Sequence, residues 1–172
     1  GDGIHPTDAG YAKIAQEWFD ALTSAVSTVG GTFAATPEMI SALVKNVVGT
    51  ELNDSIKGDQ QANAIDGRAG NDILAGRGGD DTLTGGSGLD TFIFGNGWDA
   101  DVLTDFSSDD GEVIDFRTTN KITDFDDLLA NHLRDNGGTA EIYVGSNTIL
   151  LEGVTVAEIG YGLAYSEDDF IF

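Results

Sequence analysis

Residues 49–93 read GTELNDSIK (49–57), GDQQANAID (58–66), GRAGNDILA (67–75), GRGGDDTLT (76–84) and GGSGLDTFI (85–93). Glycine recurs every nine residues, at Gly49, Gly58, Gly67, Gly76 and Gly85, without a slip. Position six is acidic in Asp54, Asp72, Asp81 and Asp90, with Asn63 in the remaining unit, and position eight is always apolar: Ile56, Ile65, Leu74, Leu83, Phe92. A period of this length, held in three columns at once, marks a repeat architecture rather than a flexible glycine-rich linker.

Each column has a physical task. Glycines at positions one, two and four permit the positive φ values and close backbone approach of a tight turn, leaving three residues for a short strand. Two units complete one coil, so residues eighteen apart stack on the same edge at roughly the ~4.8 Å spacing of neighbouring strands. Asp54, Asp72 and Asp90 then share one edge and Asn63 and Asp81 the other, with position eight facing inward. Continuing by eighteen from Asp81 leads to Asp99 as a terminal ligand, with Asp101 as its competitor.

Like charges stacked this closely repel. A divalent cation between the turns reverses the sign, and Ca²⁺ suits the position because it accepts six to eight oxygens, turn carbonyls included, in flexible geometry. Zinc would require His or Cys, which the repeats lack. The inward core is too thin to hold the coils together without metal, so folding and calcium binding are expected to be coupled.

This pattern resembles the RTX nonapeptide, G-G-x-G-x-D-x-U-x, of the parallel β-roll. The match is close in the units starting at Gly67, Gly76 and Gly85 and degraded in the first two, where Leu52, Gln61 and Asn63 replace glycine or aspartate. The resemblance implies calcium as the bound cofactor, with Asp54, Asn63, Asp72, Asp81, Asp90, Asp99 and Asp101 as the candidate metal residues.

Ahead of the repeat, Tyr11, Ile14, Ala15, Trp18, Phe19 and Leu22 fall at helical spacing behind Thr7, a candidate cap. Residues 25–48 read as a linker followed by a short helix, opened by Thr36-Pro37-Glu38 and running to about Asn46. The opening block, Asp2-Gly3-Ile4-His5-Pro6-Thr7-Asp8-Ala9-Gly10-Tyr11, resembles the last block of the GDSL, or SGNH, esterase/lipase family. That resemblance implies His5 as general base and Asp2 as its orienter in ester hydrolysis. No Gly-Asp-Ser occurs in the chain, and since a nucleophile, base and orienter act as a unit, residues 1–172 alone are expected to be inactive. An ester or lipid substrate would belong to the full-length parent.

Behind the repeat, Asp101–Phe106 and Glu112–Phe116 read as strands, Phe125 to about Leu133 as a helix, and Ala140–Val144 with Thr148–Leu151 as a hairpin about Gly145-Ser146-Asn147. The order of Gly88–Phe94, Asp101–Phe106 and Val113–Phe116 resembles the segment that caps β-rolls in serralysin-like proteases and RTX lipases. In those relatives an uncleaved C-terminus is read by type I secretion machinery, and Asp168-Asp169-Phe170-Ile171-Phe172 is similar to that acidic-then-apolar tail. The same ending has the composition of an edge strand, and both readings are expected to hold together.

The charge balance agrees with a cation partner. Asp and Glu number 30 against 8 Lys and Arg, a net charge of −22, which disfavours nucleic acid and anionic membrane surfaces. There are no cysteines, no apolar run reaches the roughly 18 residues of a membrane span, and the basic-then-apolar pattern of a signal peptide is missing at the N-terminus.

The expected architecture is mainly β: a parallel β-roll over 49–94, a capping and secretion-signal region over 95–172, a linker over 25–48, and a helical remnant of an α/β hydrolase domain over 1–24. The expected function is that of a calcium-folded, secreted, extracellular module of a lipase or esterase parent. A structural or adhesive RTX module and the tail of a secreted metalloprotease are the alternatives; the latter would need a zinc motif such as H-E-x-x-H, where residues 1–48 show D-x-x-H-P.

Overall fold

A computed structural model describes residues 45–108 and 111–172. Asp2, His5, the 1–24 helix and nearly all of the 25–48 segment lie outside the described residues.

Six three-residue strands follow one another at nine-residue intervals: β1 (Asn46–Val48), β2 (Ser55–Lys57), β3 (Ala64–Asp66), β4 (Ile73–Ala75), β5 (Thr82–Thr84) and β6 (Thr91–Ile93). Successive strands alternate between two sheets, so β1, β3 and β5 pair in parallel on one side and β2, β4 and β6 on the other. The register is eighteen throughout: Val47 opposes Ile65, Ile56 opposes Leu74, and Ile65 opposes Leu83. This is a parallel β-roll, and it starts one strand before Gly49, at Asn46, where the sequence reading ended a helix.

A three-residue strand directs only its middle side chain inward, because side chains alternate across a pleat. Ile65, Leu74, Leu83 and Phe92 are accordingly buried. The core of each coil is one side chain from each sheet.

Past residue 93 both sheets continue. β7 (Ala100–Leu103) pairs with β5 and β8 (Val113–Asp115) with β6, again in parallel. β11 (Asn147–Leu151) adds to β7, and β10 (Thr139–Val144) and β9 (Leu133–Asn136) complete that sheet in antiparallel fashion. On the other sheet β12 (Phe170–Ile171) pairs with β8 as the edge strand. The capping region therefore extends the two sheets of the roll.

The hairpin between β10 and β11 turns on Gly145 and Ser146, with Asn147 already paired to Val144, and Gly145 takes φ 64. A positive φ at the first loop position is the requirement of a two-residue hairpin turn. The helix α1 (Phe125–Asn131) is capped by Asp124, whose carboxylate accepts from the Asp127 amide at 2.8 Å, and it buries Phe125 and Leu128. It ends short of Leu133, which belongs to β9.

Aromatic side chains fill the capping region. Phe94, Trp98 and Phe116 pack with ring centroids 5.8 to 6.4 Å apart, and Phe106 packs between Phe92, Tyr165 and Phe170. Among the described residues no helix is long and apolar enough to cross a membrane.

Candidate metal centre

The position-six carboxylates reach from one turn to the next. The Asp72 carboxylate accepts from the Asp54 amide at 2.7 Å, Asp90 from Asp72 at 2.8 Å, and Asp81 from Asn63 at 2.8 Å. Asp101 continues the second edge, accepting from the Asp81 amide at 2.8 Å. Each acid thus ties a backbone N–H one coil away, and carboxylate does not meet carboxylate face on.

That hydrogen bond uses one oxygen. The other oxygen of Asp72, Asp81, Asp90 and Asp101 is buried and has no hydrogen-bond partner, and a buried unpartnered carboxylate oxygen carries a heavy desolvation cost. Burial, ahead of every other cause, pushes the Asp81 carboxyl up to about 6 and the Asp101 carboxyl up to about 8, with neighbouring acids adding to it and the backbone hydrogen bonds opposing it. Asp72 and Asp90 are raised for the same first reason.

The turns leave no room for anything but glycine at position one. A β-carbon on Gly67, Gly76 or Gly85 would fall within 3.0 Å of the position-six carboxylate of its own unit, and one on Gly49, Gly58 or Gly67 would strike the carbonyl oxygen of Gly67, Gly76 or Gly85 in the next coil. Carboxylate and carbonyl oxygens are thereby drawn to the same gap. Position four adopts the left-handed region, at φ 120 in Gly70 and φ 99 in Gly79.

Oxygen donors alone, several of them carbonyls, with orphaned buried carboxylate oxygens between them, fit a hard divalent cation of flexible coordination. Asp54, Asp72 and Asp90 would hold it along one edge and Asn63, Asp81 and Asp101 along the other. Bound there, calcium would supply the positive charge that these oxygens lack. Among the described residues no three His, Cys, Asp or Glu side chains converge on one point; a cation there would take backbone oxygens beside the side chains.

The pairing beyond β5 places Asp99 and Asp101 differently. Thr82 opposes Val102, a step of twenty rather than eighteen, so Asp101 takes the buried position-six place. Asp99 sits at φ 59, exposed, and accepts from the Gly79 amide at 3.0 Å.

Glu112 was not anticipated. β6 opposes β8 at a step of twenty-two, which puts Glu112 one coil beyond Asp90. It is buried, accepts from the Ser107 amide at 2.8 Å, and lies alongside the Asp90 carboxyl. Two ionised carboxylates cannot donate to each other, so this pair requires a proton or a cation between them. The available signal was Gly111-Glu112-Val113-Ile114, an acid two residues before an inward apolar side chain.

Residues 48–83 and 66–100 match the family of the RTX calcium-binding nonapeptide repeat (4 copies). No curated protein sequence matches the chain. Among solved structures, the extracellular lipase LipA from Serratia marcescens is similar at a TM-score of 0.45 and 20% identity, over 74% of this chain and 21% of the lipase. The AlgE6R3 subunit of the Azotobacter vinelandii mannuronan C5-epimerase is similar at 0.43 and 26% identity, over 75% of this chain and 84% of that subunit. The chain thus spans about a fifth of the length of the lipase it matches. RTX nonapeptide repeats bind calcium ions, and residues 48–100 of this chain are RTX nonapeptide repeats, forming a calcium-binding β-roll module.

Proposed function

We propose that this calcium-binding module is the calcium-folded C-terminal part of a protein exported by a type I secretion system, and that its parent is a lipase or esterase. The observation that carries the folding part is the set of buried carboxylate oxygens of Asp72, Asp81, Asp90 and Asp101 without hydrogen-bond partners. A metal-free roll must tolerate all of them, while the unfolded chain leaves them in water, so low calcium favours the unfolded chain and millimolar calcium the roll. An unfolded, self-repelling segment suits passage through a channel.

The ligands in this reading are Asp54, Asn63, Asp72, Asp81, Asp90 and Asp101, with Glu112 added at the end of the first edge and Asp99 serving the turn beside Asp101. Export is supported by the RTX repeats and by the acidic-then-apolar ending Asp168–Phe172. The hydrolase parent is supported by the Asp2–Tyr11 block, in which His5 would act as base and Asp2 as its orienter.

The test is a calcium titration followed by far-UV circular dichroism, beside Mg²⁺ and chelator. A cooperative gain of β signal with calcium alone is the expected result. Full β signal in chelator, unchanged by calcium, would refute the folding switch.

A further inference from the structure

The turn over residues 58–63 departs from the repeat in two columns at once. Position six carries Asn63 where the other four units carry aspartate, and position two carries Asp59 where they carry Thr50, Arg68, Arg77 and Gly86. A carboxylate is lost from one column and gained in another of the same turn.

The backbone shows how close these two columns are. The Asp59 amide donates to Asn63 Oδ1 at 2.9 Å, and the Gln61 amide donates to Asp59 Oδ1 at 2.8 Å, which folds the Asp59 carboxylate back over its own turn. The Asp59 carbonyl accepts from the Gly78 amide at 3.2 Å, so Asp59 sits directly against the next turn on that edge.

From that next turn the Asp81 carboxylate reaches across. Its Oδ1 accepts from the Asn63 amide at 2.8 Å, while its Oδ2 is buried without a partner in a residue only 1% exposed. Asp59 and Asp81 thus both bond to Asn63, the Asp59 amide to its side-chain oxygen and the Asp81 carboxylate to its amide. An orphaned buried oxygen and a second carboxylate are therefore brought to the same pair of turns, and two carboxylates there repel unless a cation lies between them.

We propose that Asp59 is a calcium ligand at the position between turns 58–63 and 76–81, supplying the carboxylate that Asn63 lacks. This rests on the calcium reading of the repeats. It gives the position two side-chain carboxylates, Asp59 and Asp81, like its neighbours, and ligand charge is one of the quantities that sets calcium affinity. The degraded second unit is then a relocated ligand set and not a lost one.

The experiment is calorimetric calcium titration with a count of bound calcium, on the full chain and on Asp59→Asn, Asp66→Asn and the double variant Asp59→Asn/Asn63→Asp. Asp59→Asn is expected to bind one calcium fewer, or to need at least about tenfold more calcium for one of its sites, while Asp66→Asn, which removes the same charge from the adjoining strand, titrates as the parent does. The double variant, which returns the carboxylate to column six, is expected to recover the lost site. A far-UV spectrum at saturating calcium establishes that each variant is folded. Unchanged stoichiometry and midpoint in Asp59→Asn, an equal loss in Asp66→Asn, or no recovery in the double variant would each overturn the assignment. Absence of calcium uptake by the parent chain would instead overturn the calcium reading on which the assignment stands.

Discussion

Between residues 46 and 93 each strand contributes one inward side chain to the core, and a ladder of acids runs along either edge. From Phe94 onward the same two sheets are filled by Phe94, Trp98, Phe106, Phe116, Ile142, Ile149 and Leu151, all buried, and β9, β10 and β11 are tied by two-residue hairpins. The first region has little apolar surface to bury and many oxygens to neutralise; the second has the reverse. One backbone scheme thus serves two sources of cohesion, metal for the coils and side-chain burial for the cap.

Removing calcium should separate the two regions most sharply. Calcium at a hundred times its dissociation constant stabilises by about 2.7 kcal/mol per site, so several sites together contribute on the order of 10 kcal/mol, comparable with the whole stability of a domain. In chelator, amides of β2 to β6 are expected to lose hydrogen-exchange protection while those of β10 and β11 keep it. Simultaneous loss in both regions would mean that the cap has no cohesion of its own.

A core truncation in the cap comes next. Phe116→Ala, at a fully buried ring, should cost about 3–5 kcal/mol in calcium and in chelator alike, as measured by denaturant unfolding of the cap. An effect seen only with calcium present would place Phe116 energetically with the coils.

Asp90→Asn should act in opposite directions in the two conditions. With calcium it removes a ligand and lowers the melting temperature; in chelator it removes a buried charge whose carboxyl is already raised by burial and raises it. A change of about 1–3 kcal/mol is expected either way.

The pH dependence should also invert. Burial raises Asp81 to about 6 and Asp101 to about 8, from 3.8. Without metal the folded roll therefore binds protons that the unfolded chain releases, and its stability rises as pH falls from about 8 toward 4. With calcium, protons compete for the same oxygens, and the calcium midpoint should shift to higher concentration over that range. Melting curves at pH 8 and pH 5, with and without chelator, test both signs.

The smallest effect is local. Arg68 and Arg77 occupy the left-handed region at φ 78 and φ 80, which costs a side-chain-bearing residue roughly 1–2 kcal/mol, partly offset by the greater chain entropy of glycine. Arg77→Gly should raise roll stability by up to about 1 kcal/mol in calcium, measured by thermal unfolding. A loss would mean that the guanidinium stabilises its turn by more than the backbone strain.

Much of this was legible in the sequence because the repeat is strict. The columns at positions one, six and eight fixed the register, the inward face and the two edges of acids from Asp54 to Asp90. Legibility ended where the step changed: eighteen from Asp81 gives Asp99, but the two added residues before β7 move the pairing to Asp101, and the four before β8 hide Glu112 from any count by nines. The expected helix reaches Leu133 because that residue continues the apolar spacing of α1, whereas Leu133 opens β9; Gly137-Gly138, at φ 67 and φ 95, is a strong signal for a tight turn between two strands. The expected short helix runs to about Asn46, where β1 begins, because that unit lacks the glycines that announce the others.

The widening of that step, from eighteen to twenty to twenty-two residues per coil, has a further consequence. A solenoid of uniform pitch presents at its end the same perimeter it has everywhere, so one molecule is a template on which another can continue. Here the perimeter flares toward the cap, and the sheet that carries β7 finishes on β9, with Arg134 and Asp135 in the outermost strand. A second nine-residue thread has nothing of its own gauge to follow there, and a charged edge strand discourages pairing. The lengthening coils and the charged last strand close the screw at its cap end.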